Sequence, residues 1–434
     1  MSLSRRHFLT AMGAVAAPVA LSGCGGFSTQ GGSGGGGAAA EGTLDFTTWG
    51  TDAELAGFRA AITAFEAANE GVTVNLNAVP YDQMFTNIDA QLQANTPPDI
   101  FRVPYYTFGS YAGRGQLLDL GSHLPDGFGD RFTPQAWAAV QSEGSPFGVP
   151  HHTDTTAILY DVAAMADAGI EVPQSIDEAW TWEEFADVAA RLRESLPQDQ
   201  YPFAYNWQGN GVTRWLTWLF EADGRFLTED LSASAIDSDA ARKAVEFTTS
   251  FFREGWVPPT NSIRSSTYAA DSWFAQTVPM VFAGAFLIPD AESTFEGEWA
   301  ATYPPRDVRS ASDFGGNALV ATSQTEQPEL AAAFLDFVTN ADPMREFCAG
   351  ASLLPTRADL VEEGIEFAVR PELSTVFIEQ AGSVLPEDSG QVASPDMSAI
   401  IAVLQEELEA SFVGERDADE TVRAMDEGIA SAVG

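Results

Sequence analysis

The sequence predicts an α/β protein made of two lobes, each a mostly parallel sheet flanked by helices. Three observations carry this. Strand and helix signals alternate from Leu44 to Val103. Roughly 390 residues follow a glycine-rich leader, more than a single core usually organises. One cysteine, Cys348, remains in all that length, so packing and not an intrachain disulfide must hold the fold.

Taken in order, residues 1–24 read as an address. Arg5-Arg6 precede an apolar run from Phe8 to Leu21, the twin-arginine arrangement of a leader that exports folded protein. That run falls short of the ~20 apolar residues a spanning helix needs. It ends in Leu21-Ser22-Gly23-Cys24, which resembles the lipobox of prokaryotic lipoproteins and implies lipidation of Cys24. An ordinary cleaved leader with a chance cysteine is the plainer alternative. Residues 25–42, rich in Gly, Ser and Ala, read as a flexible tether. The expected location is therefore extracytoplasmic, on the outer face of the cytoplasmic membrane.

The charge is extreme. Against 62 acidic residues stand 21 basic ones, and Arg5 and Arg6 leave with the leader, so 19 remain and the formal charge is −43. Nucleic acid is excluded as a partner, because its phosphates would be repelled. Scattered acids of this density read as a solvated surface suited to high salt. No D-x-D-x-D-G loop supports calcium binding, and no metal or cofactor is expected.

Leu44 to Trp49 alternates like a strand. Gly50-Thr51-Asp52 then turns into a helix whose stripe is Leu55, Phe58, Ile62 and Phe65. Val72, Val74 and Leu76 form a second strand, and Met84, Ile88 and Leu92 a second helical stripe. Pro97-Pro98 stops that helix before a short strand, Asp99 to Val103. Sheets of this kind bind ligands beyond the carboxyl ends of their strands, which brings 49–54 and 104–108 together at a cleft edge. Further on, Thr181-Trp182-Glu183-Glu184 is a capping box. Trp215 and Trp218, three apart, read as core. Helical stripes recur at Leu330, Phe334 and Phe337, and at Ile401, Leu404, Leu408 and Phe412.

Across residues 44–433 the chain resembles extracellular solute-binding proteins of the maltose/maltodextrin-binding type, which serve ABC importers. The resemblance rests on Trp49, on Pro98-Asp99-Ile100, on Gly115 to Leu120, and on Gly148 to Thr155 running into Leu159-Tyr160-Asp161. It rests also on Thr181 to Phe185, Gly315 to Leu319 and Leu354 to Arg357. It implies the type II periplasmic-binding-protein-like fold, with discontinuous lobes of 43–152 plus 316–352 and 153–315 plus 353–434. Crossovers are expected near Pro150–Thr155, Asp313–Ala318 and Leu353–Arg357. A monomer that hands a carbohydrate to permease subunits is the implied role.

A sugar offers hydroxyls and an apolar C–H face, so its site combines aromatic plates with charged or amide groups. The expected ligand contacts are Trp49, Glu54, Tyr81, Tyr105, His152, Asp154, Trp207, Phe286, Gly316, Asn317 and Arg357. For Glu54 the competing role is simply to favour a helix N-terminus; for Asp154, to satisfy hinge backbone; for Arg357, to pair with a surface carboxylate. Relatives often carry an acid at the position of Pro104, so Tyr105 and Tyr106 point here to stacking instead. His151 and His152, adjacent on a strand, are expected on opposite faces and not on one metal ion. Two other readings stand beside the sugar: the same fold binding a polyol, polyamine, phosphodiester or peptide, and a secreted carbohydrate-active enzyme. Against the enzyme, none of H-E-x-x-H, G-x-S-x-G or a P-loop occurs.

Overall fold

The computed structural model describes residues 42–414 and 416–434; the leader, Cys24 and the tether up to residue 41 lie outside the described residues. Two sheets organise the chain. The first has the order β2-β1-β3-β11-β6. Its strands are β1 (Gly42–Thr48), β2 (Val72–Ala78), β3 (Ile100–Pro104), β6 (Val149–Asp154) and β11 (Gly315–Ala321); β4 (Gln141–Ser142) and β5 (Ser145–Pro146) form a separate short ribbon. The second sheet, in the order β10-β7-β9-β8, contains β7 (Thr156–Asp161), β8 (Phe203–Tyr205), β9 (Met280–Gly284) and β10 (Trp299–Thr302).

Apolar spacing explains how these elements form. In β1 the alternation buries Leu44 and Phe46, and helix α1 (Asp52–Ala68) packs Phe58, Ile62 and Phe65 against them. The α1 stripe differs from expectation at its first turn: Leu55 is half-buried, and the position that Phe58 and Ile62 continue is held by buried Glu54. Helix α2 (Tyr81–Gln93) buries Met84, Ile88 and Leu92, while β3 is buried along its whole length, Arg102 included. The late helices Pro328–Val338 and Ala341–Ala351 complete the core of the first lobe. Helices Met397–Phe412 and Ala418–Val433 complete that of the second, which also holds Trp215 and Trp218.

In the first sheet β1, β2 and β3 are parallel and β11 alone runs against its neighbours; in the second, β8 and β9 are parallel and β7 runs against its neighbours. The exceptions have one cause. Parallel strands aim their carboxyl ends at the gap between the lobes, and a chain entering a lobe across that gap must start there and run the other way. Both β7 and β11 are such entering strands. A single residue, Thr155, separates β6 from β7. The boundary expected after residue 152 therefore moves, because β6 stays paired with β11 through Asp154 opposite Gly315. Among the described residues no helix is long and apolar enough to cross a membrane.

Candidate binding cleft

Between the sheets, at the carboxyl ends of the parallel strands, lies a cavity of about 510 Å³. From the first lobe come Trp49, Glu54, Tyr81, Arg102, Tyr106, His152 and Asn317. The second contributes Asn206, Gln208, Arg214, Tyr268 and Phe286, and the crossovers add Asp154, Asp313 and Gly316.

The first-lobe wall starts from a helix cap. Glu54 Oε2 accepts the Thr51 backbone N–H at 2.8 Å, and the Thr51 hydroxyl accepts the Glu54 N–H, closing a capping box. That leaves Glu54 Oε1 to accept Arg102 Nη2–H at 2.5 Å. Burial of this carboxylate in a hydrophobic stripe is tolerable only because the arginine lies beside it. Arg102 Nη1 donates to the Trp49 carbonyl at 2.8 Å, and the guanidinium covers the Trp49 ring, 4.6 Å from its centroid. The Trp49 ring in turn packs against Tyr81 at 5.2 Å. The Tyr81 and Tyr106 hydroxyls meet at 2.5 Å.

His152 Nε2 faces both Arg102 Nη2 at 2.9 Å and Asn317 Nδ2 at 3.0 Å. An arginine can only donate, so Nε2 accepts and the ring proton sits on Nδ1. His152 Nδ1–H is donated to His151 Nδ1, the two nitrogens 3.1 Å apart. The two rings touch, contrary to the expectation of opposite faces. The cause is a bulge: Asn317 pairs with His152 and Ala318 with Pro150, leaving His151 unpaired. Burial, with Arg102 close by, pushes His151 down to about 3 and holds His152 well below the usual histidine range. Among the described residues no group of three or more His, Cys, Asp or Glu side chains is placed to hold a metal ion.

At the hinge, Asp154 Oδ1 accepts the Ala285 N–H at 3.0 Å. Burial pushes its carboxyl up to about 7, with Arg214 pulling down and Asp313 pushing up. Arg214 Nε lies 4.0 Å from Asp313 Oδ2, and Asp313 Oδ1 accepts the Thr156 hydroxyl at 3.0 Å. Asn206 Nδ2 donates to the Tyr268 hydroxyl at 3.1 Å. Phe286, half-buried, follows directly on the Asp154 contact. Gly316 has φ +98°, and a Cβ there would collide with the His152 carbonyl. The close approach that demands glycine is therefore to strand β6.

Eight of the eleven expected contacts line this cavity: Trp49, Glu54, Tyr81, His152, Asp154, Phe286, Gly316 and Asn317. Three do not. Tyr105 is buried beneath the cavity floor, donating to the His152 carbonyl at 3.1 Å and packing on Phe314. It opens helix α3 (Tyr105–Gly113), so the next residue, Tyr106, is turned toward the cavity instead. Trp207 is wholly buried in the second core, its Nε1–H donated to the Asn261 carbonyl at 2.6 Å. In extended backbone its neighbours point the other way, and Asn206 and Gln208 reach the cavity. Arg357 pairs with Asp359 at 2.7 Å and bonds the Thr339 carbonyl, away from the cleft. The residues not foreseen are mainly Arg102, Arg214, Tyr268 and Asp313. Arg102 carried one signal, a charge within an otherwise apolar strand.

Residues 49–345 match the family model for bacterial extracellular solute-binding proteins. The arabinooligosaccharide-binding protein of Halalkalibacterium halodurans is 24% identical over 285 residues, covering 62% of this chain and 60% of that protein. Two solved structures share the fold. A Thermotoga lettingae ABC transporter solute-binding protein bound to α-D-tagatose superposes with a TM-score of 0.77 at 22% identity, over 91% of this chain and 100% of that one. The GacH receptor of Streptomyces glaucescens, described unliganded and with acarbose, gives 0.76 at 20% identity, over 91% and 99%.

Proposed function

The chain belongs to the bacterial extracellular solute-binding protein family, and on that premise we propose that it captures a neutral, hydroxyl-rich oligosaccharide between its lobes and delivers it to an ABC importer. One observation carries the ligand class. Two carboxylates inside the cavity are matched in place, Glu54 with Arg102 and Asp313 with Arg214, and burial pushes the third, Asp154, up to about 7, while the protein as a whole is strongly acidic. An anionic ligand would have to break one of these pairs, and a cationic one would have to break a pair or ionise buried Asp154. A neutral polyol can bond to all of them and leave both intact.

Trp49, Tyr81, Tyr106, Tyr268 and Phe286 supply plates for the C–H faces of sugar rings. Asp154, Asn206, Gln208 and Asn317 serve the hydroxyls. The likeness to an arabinooligosaccharide-binding protein supports a short polymer as the ligand. The lobes are read as 43–154 with 315–352 and 155–314 with 358–434, with 353–357 as a crossover between them, closing on the ligand by rotation at the crossovers. Lipidation at Cys24, after twin-arginine export, keeps the protein near its permease as a monomer.

The experiment is a titration of the mature chain in high salt with arabino- and malto-oligosaccharides, followed by thermal shift. Ligand at a hundred times Kd raises stability by about 2.7 kcal/mol. Unchanged melting with every neutral sugar, together with a shift from a polyamine, would overturn the ligand class. Release of shorter sugars on prolonged incubation would point to an enzyme instead.

A further inference from the structure

Trp49, Glu54 and His152 reach the cavity from three separate elements, and one buried side chain touches all three. Arg102, 2% exposed, sits in mid-β3 with its guanidinium between the rings of Trp49 and Phe58, at 4.6 and 5.7 Å. Nη1 holds the Trp49 carbonyl, and Nη2 serves both Glu54 and His152.

Resting on the reading of this cavity as the ligand site, we propose that Arg102 is its positioning residue, fixing the Trp49 plate, the Glu54 carboxylate and the Nδ1–H tautomer of neutral His152 together. Only arginine can do this. Its planar fork presents several donors at fixed angles while its faces stack on aromatic rings; a lysine ammonium offers neither plane nor fork. Because the same cation holds all three contacts, they move as a set.

The proton state of His152 follows from what surrounds it. From β3 comes Arg102, with Glu54 of α1 behind it. From its own strand comes His151, from β11 the neutral Asn317, and from helix Ala341–Ala351 the ring of Phe347 at 5.5 Å. Tyr105 of α3 bonds only its carbonyl. The one cation adjoining the ring is Arg102. A proton on Nε2 would replace an accepted hydrogen bond with a cation facing a cation at 2.9 Å. So His152 is held as a fixed acceptor at Nε2 that donates its Nδ1–H to His151 Nδ1, and the cleft keeps one hydrogen-bond polarity.

The test uses ¹⁵N-histidine spectra of the mature chain, which after loss of the leader retains three histidines: His123, His151 and His152. In the wild type, His152 is expected to show a protonated Nδ1 and a bare Nε2, without titrating from pH 5 to 8. In Arg102→Met it should exchange between tautomers, while burial still keeps it from titrating inside that window. Affinity for the best-binding arabino- or malto-oligosaccharide should fall at least about tenfold, as expected for loss of hydrogen bonds to a charged group. Arg102→Lys, which keeps the charge, should leave His152 neutral while still weakening binding. A wild-type His152 that titrates between pH 5 and 8 would overturn the proposal without any variant. So would a folded Arg102→Met with unchanged spectra and affinity. If Arg102→Met fails to fold, the wild-type spectrum and Arg102→Lys decide. Expected spectra with no oligosaccharide bound by the wild type would remove the ligand reading and leave the positioning role standing.

Discussion

Asp154 occupies the space that a side chain on Gly284 would need: its Oδ2 lies far inside contact distance of a Cβ built there, and its Oδ1 accepts the next residue's N–H at 3.0 Å. The hinge of one crossover thus closes onto the end of a strand in the other lobe. Asp154→Ala should weaken oligosaccharide binding by about 1.5–3 kcal/mol if a ligand hydroxyl bonds this carboxylate. Gly284→Ala should have a comparable effect on binding by displacing Asp154. Calorimetric titration measures both, and wild-type affinity in both would place the ligand elsewhere.

Stability should depend on pH through the same carboxyl. Asp154, pushed up to about 7, keeps its proton when folded at pH values where the unfolded chain has lost it. The folded state then binds more protons, and stability falls as pH rises from about 4 to about 7. Glu221, wholly buried with Trp182 Nε1–H on one oxygen, is raised by burial in the same direction. Asp154→Asn should flatten part of this slope, gaining at most roughly 4 kcal/mol over the wild type near neutrality. Urea unfolding at several pH values and constant salt measures the difference; parallel curves would contradict it.

Trp207→Ala should act on the fold, costing about 3–5 kcal/mol of stability as a large core truncation. Asn206→Ala and Gln208→Ala should lower affinity and leave the urea midpoint nearly unchanged. Should Trp207→Ala bind weakly and melt normally, the division between core and cavity at this segment would be wrong.

Salt should matter more to folding than to binding. At a formal charge of −43 the mature surface repels itself, and at ~1 M salt the Debye length falls to about 3 Å. Melting temperature should climb into the molar range of KCl. Affinity for a neutral ligand should stay nearly flat, because the ion pairs lining the cavity are shielded from solvent. A steep fall of affinity with salt would indicate a charged ligand.

Cys24→Ser should release the protein to the medium or leave an uncleaved precursor. Cell fractionation reads this directly, and unchanged membrane retention would rule out the lipid anchor.

The periodic parts of the fold were legible in the sequence, because burial leaves a simple trace. Leu44 and Phe46 alternate, and Met84, Ile88 and Leu92 share a helical face, as their spacing requires. Glu54 and Asp154 could be placed near the cleft from their positions at a strand–helix junction and a crossover. The misses share a different origin. Whether Trp207 or its neighbours face the cavity depends on the phase of two or three extended residues, which spacing does not set. Tyr105 and Tyr106 were separated by where α3 begins. The His151–His152 contact depended on a bulge created by strand β11, more than 150 residues away in sequence. Arg214 of the second lobe meets Asp313 only because the crossover leading into β11 passes beside it.

Thr155 is the only residue between β6 and β7, so the lobes turn about a point next to Asp154. Anything at that fulcrum travels little when the lobes swing, while groups far out along each lobe sweep a long arc. In the proposed closure Asp154 would therefore keep its place relative to the ligand through the whole stroke. Substitutions at the tips can retune which sugars are gripped without disturbing the pivot, so ligand preference is free to diverge at the rim while the pivot stays as it is.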